Sequence, residues 1–157
     1  MAWRHSCQTH YETIYLISCV SKKRSTPVRA RDLYTSDWFL KARDYVESTG
    51  SPWFILSAEH GLVLPERTLA PYERTLNAMR KPERQTWATR VKAQTETSLP
   101  AADRIVVLAG IRYREFLLDY LRQRAETVEV PMEGLGIGRQ LHYLTEALHH
   151  GRMRGVA

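Results

Sequence analysis

The 157-residue chain has only two cysteines, Cys7 and Cys19, too few and too irregularly placed for a disulfide framework or a zinc knuckle. His60, His142 and His149 do not complete a metal spacing with them, so neither metal nor cofactor is expected. No apolar run approaches the ~18 to 20 residues that cross a bilayer. Residues 1–11 are too polar for a secretory leader. Long polar tracts are missing as well, and with a hydrophobic fraction of 43% a disordered chain is excluded. The expectation is a soluble cytoplasmic protein without a membrane partner.

The length suits one domain, since a chain of this size buries roughly 70% of the surface its unfolded state exposes. No repeat or linker divides it. Residues 1–12 read as an N-terminal extension, 13–150 as a single α/β domain and 151–157 as a tail. Twenty-three Lys and Arg against 17 Asp and Glu give a net charge of +6, which favours an anionic partner such as nucleic acid.

Four apolar runs have the length of strands: Ile14 to Ile17, Trp53 to Leu56, Ile105 to Leu108 and Val128 to Val130. Helical patterns separate them. Ser36 can cap a helix that buries Trp38, Phe39, Ala42 and Val46 and stops at Gly50. Pro82 fits the first turn of a second helix, running through Trp87, Ala88 and Val91. Tyr113, Phe116, Leu117, Tyr120 and Leu121 recur at helical spacing as a third, and Leu141, Leu144, Ala147 and Leu148 mark a fourth. Between Leu62 and Met79, Pro65 and Pro71 interrupt any period, so an ordered excursion is expected there, with Tyr72 and Leu76 packed beneath it. Strand, crossover and strand in alternation predict a three-layer α/β domain, a mostly parallel sheet of about four strands with helices on both faces.

Parallel strands bring their carboxyl ends to one edge, where open α/β sheets bind ligands. Ser57, Glu59, His60 and Gly61 follow the second strand. Glu59 and His60 are the proton-transfer candidates, because burial and neighbouring charge tune both groups toward neutral pH; Gly61 permits a tight turn. Ser18, Cys19, Ser21, Lys22 and Lys23 follow the first strand, hydroxyls and ammonium groups suited to a phosphate or sugar. The loop lacks the glycines and terminal Lys-Ser/Thr of a nucleoside-triphosphate P-loop. Arg31, Asp32 and Tyr34 form a further polar group, in which Asp32 either orients a base or neutralises Arg31. Gly110 lets Tyr113 approach a ligand, and Tyr34, Tyr72 and Tyr113 are candidate stacking walls. Gly134, Gly136 and Gly138 precede the last helix, an anion-binding turn in outline, without matching the dinucleotide fingerprint.

Leu16-Ile17-Ser18-Cys19 with Lys22-Lys23, Arg31-Asp32-Leu33-Tyr34, Leu56 to Leu62, Pro71-Tyr72 and Ala109-Gly110 occur in an order that resembles the DUF6884 type of small bacterial and phage proteins. That resemblance assigns no reaction. Ile17-Ser18, Gly61-Leu62 and Pro71-Tyr72 are more distantly similar to the peroxide-stress DNA-binding family, which implies association with nucleic acid. A looser resemblance links the pattern to uracil-DNA-glycosylase-like domains, which implies cleavage of a glycosidic bond. There Glu59 or Asp32 would meet the positive charge that develops on the sugar, and His60, Lys22 and backbone N–H groups the negative charge on the base. The leading expectation is an N-glycosidase-like enzyme acting on a modified base in a nucleotide or nucleic acid, DNA included. The alternatives are a noncatalytic DNA-binding stress-protection protein and a nucleotide or phosphometabolite glycosyl-transfer enzyme.

Overall fold

The computed structural model describes the backbone of residues 9–155 and the side chains as far as Gly151. Residues 1–8 of the expected extension, Cys7 among them, and the last two residues of the expected tail lie outside that range. The four apolar runs are strands: β1 (His10–Ser18), β3 (Trp53–Ser57), β6 (Ala101–Leu108) and β7 (Thr127–Glu129). They pair in parallel, with β1 between β3 and β6 and with β7 beyond β6. Residues 14–17 of β1 are all at most 3% exposed. A central parallel strand is covered on both faces, which is why this run reads as continuous rather than alternating.

Two strands start earlier than their apolar runs. His10 and Tyr11 pair with Ala101 and Ala102 at the start of β6 but, like Glu12, are exposed, and His10 meets Asp103 at 2.7 Å. A ladder that leaves the core no longer selects apolar side chains. After β3 the chain reverses through Ala58, Glu59 and His60 into β4 (Gly61–Val63), antiparallel on the sheet edge. The excursion that follows is ordered as expected, with Leu76 fully buried in a short 3-10 turn (Leu76–Ala78) and Tyr72 half-buried. It also carries β5 (Thr68–Leu69), paired with β2 (Val28–Arg29) in a separate two-stranded ribbon.

The helices are α1 (Ala30–Leu33), α2 (Asp37–Ser48), α3 (Lys81–Ser98), α4 (Ile111–Arg114), α5 (Leu118–Arg124) and α6 (Ile137–Gly155). Ser36 caps α2 by accepting from the Phe39 N–H, and Pro82 lies in the first turn of α3. Helix α3 buries Arg84, Trp87, Ala88, Val91 and Thr95 along one stripe. One expected helix is two: the Leu117 N–H bonds to the Arg114 carbonyl, a tightened turn that separates α4 from α5. Tyr113, Leu117 and Leu121 remain buried across the break. With helices on both faces, the domain is the three-layer α/β arrangement expected. Among the described residues no helix is long and apolar enough to cross a membrane.

Candidate functional site

From β1 the chain crosses through α2 to β3 on one side; from the β3–β4 hairpin, α3 carries it to β6 on the other. The carboxyl ends of β1 and β6 therefore sit at a topological switch point, where diverging crossovers leave a crevice. A cavity of about 300 Å³ opens there. Ser18, Cys19, Val20 and Ser21 line it from the end of β1, Gly110 and Tyr113 from the end of β6, Trp38 from α2, Thr75 and Asn77 from the excursion and Gln140 from α6. The Trp38 indole N–H donates to Gln140 Oε1 at 2.8 Å, and Gln140 Nε2 donates to the Leu135 carbonyl at 2.8 Å. The first bond ties the first turns of α2 and α6 together, and the second anchors Gln140 to the segment that leads into α6.

Beneath the crevice the Ala58 N–H donates to Cys19 Sγ at 3.4 Å, and the Tyr113 hydroxyl lies 3.4 Å from the same sulfur. The Leu76 N–H also donates to that hydroxyl, at 3.4 Å. A second hydroxyl cluster adjoins. The His60 N–H donates to Ser57 Oγ (3.0 Å), Ser57 Oγ donates to Tyr72 (2.8 Å), and Tyr72 shares a 2.6 Å bond with Tyr34. Lys23 Nζ lies 4.4 Å from the Tyr72 ring centroid and 5.7 Å from that of Tyr34, and it donates to the Ser21 carbonyl. Cation–π contact with both rings fixes the ammonium. Burial lowers the pKa of Lys23, opposed by Cys19 and Glu73.

Burial is also the first cause that raises Tyr34, Tyr72 and Tyr113, with Cys19 acting in the same sense. It raises Tyr45 and Tyr143 at the other end of the molecule. These phenols are hydrogen-bond donors at neutral pH and not bases. Because they hold their protons in the fold and lose them when unfolded, their contribution to stability is complete below about pH 10 and is lost as pH rises, most for Tyr34, Tyr72 and Tyr113 and least for the half-exposed Tyr45 and Tyr143. Absorbance titration should show these five of the eight tyrosines staying protonated beyond pH 10 until the fold opens. Their ionisation while circular dichroism stays native would contradict the burial.

Glu59 and His60 occupy the hairpin turn rather than the crevice lining. Arg74 Nε lies 3.7 Å from Glu59 Oε2, and Arg90 donates to the Glu59 carbonyl at 2.8 Å. The His60 ring meets Tyr72 edge to face at 5.6 Å. Burial, then Arg67, lowers the pKa of His60, with Arg90 acting the same way and Glu59 opposing. Asp32 is held by different arginines, Arg29 at 3.2 Å and Arg43 at 3.6 Å. It therefore neutralises Arg29 and Arg43 rather than Arg31, which pairs with Glu47 at 2.8 Å.

The structure thus gathers Ser18, Cys19, Ser21, Gly110 and Tyr113 around the crevice, and Lys23, Tyr34, Ser57, Tyr72 and His60 beside it. Tyr34 is fully buried against Phe39, so the stacking wall expected of it is not available. Lys22 is exposed. Gly134, at φ +80°, lines an adjoining cavity of about 210 Å³ that shares Gly110 and Gln140 with the crevice. Gly136 and Gly138 are exposed, with open space where a Cβ would stand. Trp38, Thr75, Asn77 and Gln140 were not expected at the site. Trp38 reads as a core position of an amphipathic helix, and Thr75 and Asn77 lie in a stretch without a period.

Sheet order, crossover and crevice define an α/β protein with an open cavity at the strand ends. The chain belongs to DUF6884, a family of unknown function, which it matches over residues 14–146. It is similar to "Uncharacterized protein YfjM" of Bacillus subtilis (strain 168), at 26% identity over 140 residues, 85% of this chain and 93% of that protein. No solved structure matches.

Proposed function

We propose that this protein binds a nucleoside unit in the crevice between β1 and β6 and cleaves the N-glycosidic bond to a modified base. The observation that carries the reading is the lining of the crevice. Ser18, Ser21, Thr75, Asn77 and Gln140 offer neutral donors and acceptors for base edges and sugar hydroxyls, and Trp38 and Tyr113 supply aromatic surface. Hydrolysis breaks the bond between the sugar C1′ and the base nitrogen, and the electron pair leaves with the base. Water adds to C1′ and loses a proton, and Glu59, on the adjoining hairpin turn outside the lining and beside Arg74, is the carboxylate this reading assigns to it. A proton from the Tyr113 hydroxyl, which lines the crevice, meets the departing nitrogen.

A panel of modified nucleosides, nucleotides and oligonucleotides, read by mass spectrometry for free base, tests the reaction. Release by the wild-type protein that falls about 10²-fold or more in E59Q is the expected result. No release above the E59Q level across the panel would refute it. A second reading, noncatalytic recognition of nucleic acid, is favoured by one observation: no carboxylate lines the crevice. Binding that is unchanged in E59Q and H60A, without base release, would select this reading.

A further inference from the structure

Four features in or beside the crevice favour an anion, with Asp37 and Glu73 the carboxylates near them. The first is Ser18, only 6% exposed, which lines the cavity and whose hydroxyl has no hydrogen-bond partner among the described residues. Its oxygen is not among the polar atoms sealed from solvent, so the hydroxyl opens onto the cavity and can donate to a ligand there. The second is a pair of helix starts. Trp38 and Gln140 belong to the first turns of α2 and α6, of 12 and 19 residues, and both line the crevice. The first intrahelical bonds run from Leu40 to Ser36 and from Gln140 to Gly136. The N–H groups before them, apart from that of Phe39, which Ser36 caps, add partial positive charge at this end.

Lys23 is the third feature. Its ammonium is held in place by Tyr72 and Tyr34, and it has no carboxylate within ion-pair distance among the described residues. The fourth is the rim. Lys22, Arg112 and Arg139 adjoin the lining residues Ser21, Tyr113 and Gln140 in sequence, are exposed, and form no ion pair among the described residues. Glu73 is the carboxylate that acts on Lys23, and Asp37 is exposed in the first turn of α2. By contrast Arg29, Arg31, Arg43 and Arg84 are already committed to carboxylates. Positive charge without a partner is thus placed at one end of the sheet.

We infer that the crevice takes its nucleoside as a phosphate ester, with the phosphate seated among Ser18, Lys23 and the first turns of α2 and α6. The inference rests on the nucleoside reading above and narrows it to a nucleoside monophosphate. Hydroxyl, ammonium and backbone N–H groups are the donors that phosphate oxygens accept from most strongly. The aromatic and amide groups of the lining remain for base and sugar.

Titration calorimetry with inorganic phosphate, four nucleosides and their 5′-monophosphates tests this on the full chain. A monophosphate should bind about tenfold or more tightly than its nucleoside, and this preference should shrink about tenfold in K23Q and about threefold in S18A. K23R, which retains the charge, should keep most of it, and thermal unfolding of each variant reports folding independently. Equal binding of nucleoside and monophosphate would overturn the inference and leave the nucleoside reading standing. So would a preference that K23Q and S18A leave unchanged in folded protein. Phosphate binding that is sensitive to K23Q, without any nucleoside binding, would keep the phosphate seat and refute the nucleoside reading; binding by none of the probes would overturn both.

Discussion

Replacing Arg84 by methionine should destabilise the protein by about 3 kcal/mol, although Arg84 lies outside the crevice. Arg84 is 8% exposed on the buried stripe of α3, and its guanidinium makes two short bonds, to Glu115 Oε1 at 2.7 Å and to the Met79 carbonyl at 2.6 Å. The methionine keeps the apolar stem but leaves Glu115, whose side chain is 24% exposed, facing no cation. Removing one partner of a buried pair costs about 3 to 5 kcal/mol, and the partial exposure of Glu115 sets the lower end. The lost bond to Met79 adds to this and frees the end of the excursion that positions Thr75 and Asn77. E115Q, which can still accept from Arg84, should cost about 1 kcal/mol. Pairing R84M with E115L should recover much of the loss, because the stranded carboxylate is removed with its partner. Denaturant unfolding measures all three, and an R84M cost below about 1 kcal/mol would show that the pair contributes little.

Arg84 also shows what could not be read from the sequence. The four parallel strands were legible because a strand buried on both faces must be apolar throughout, and Ile14 to Ile17 and Trp53 to Leu56 obey that rule. The cap at Ser36 and the stop at Gly50, whose φ is +74°, were legible because local chemistry alone determines them. A buried arginine in an otherwise polar helix, by contrast, is indistinguishable from a surface one until its carboxylate is placed 31 residues away. The crevice was half legible for the same reason. Residues at strand ends, Ser18, Cys19, Gly110 and Tyr113, are located by the strand pattern. Gln140 and Trp38 reach the site only because two helices that are distant in sequence converge. The β3–β4 hairpin was hidden because Gly61, Leu62 and Val63 make too short a run to signal a strand.

That hairpin yields the other large effect: Gly61→Ala should destabilise the protein by about 3 kcal/mol, and it should move Glu59 and His60. Gly61 has φ +74°, a left-handed conformation that costs an alanine about 1 to 2 kcal/mol. It closes the three-residue turn between β3 and β4, a position where such a glycine is usual. Space adds a second cost. A Cβ there would overlap Gln94 Oε1, the atom that accepts from the Leu62 N–H at 2.8 Å, while Gln94 Nε2 donates to the His60 carbonyl at 3.0 Å. Displacing Gln94 strands two backbone groups, at about 1 kcal/mol each. Gly50 separates the two terms, since it has the same φ of +74° but nothing within 4 Å of its Cβ position. G50A should therefore cost only the conformational part, about 1 kcal/mol. In a Q94A background G61A should approach that smaller value, because the side chain it would displace is already gone. Equal costs for G50A and G61A in the otherwise native chain would show that Gln94 does not brace the turn. If Glu59 serves the crevice, base release by folded G61A should fall further than the folded fraction does. The carboxylate is aimed by a turn that only glycine can close without disturbing Gln94.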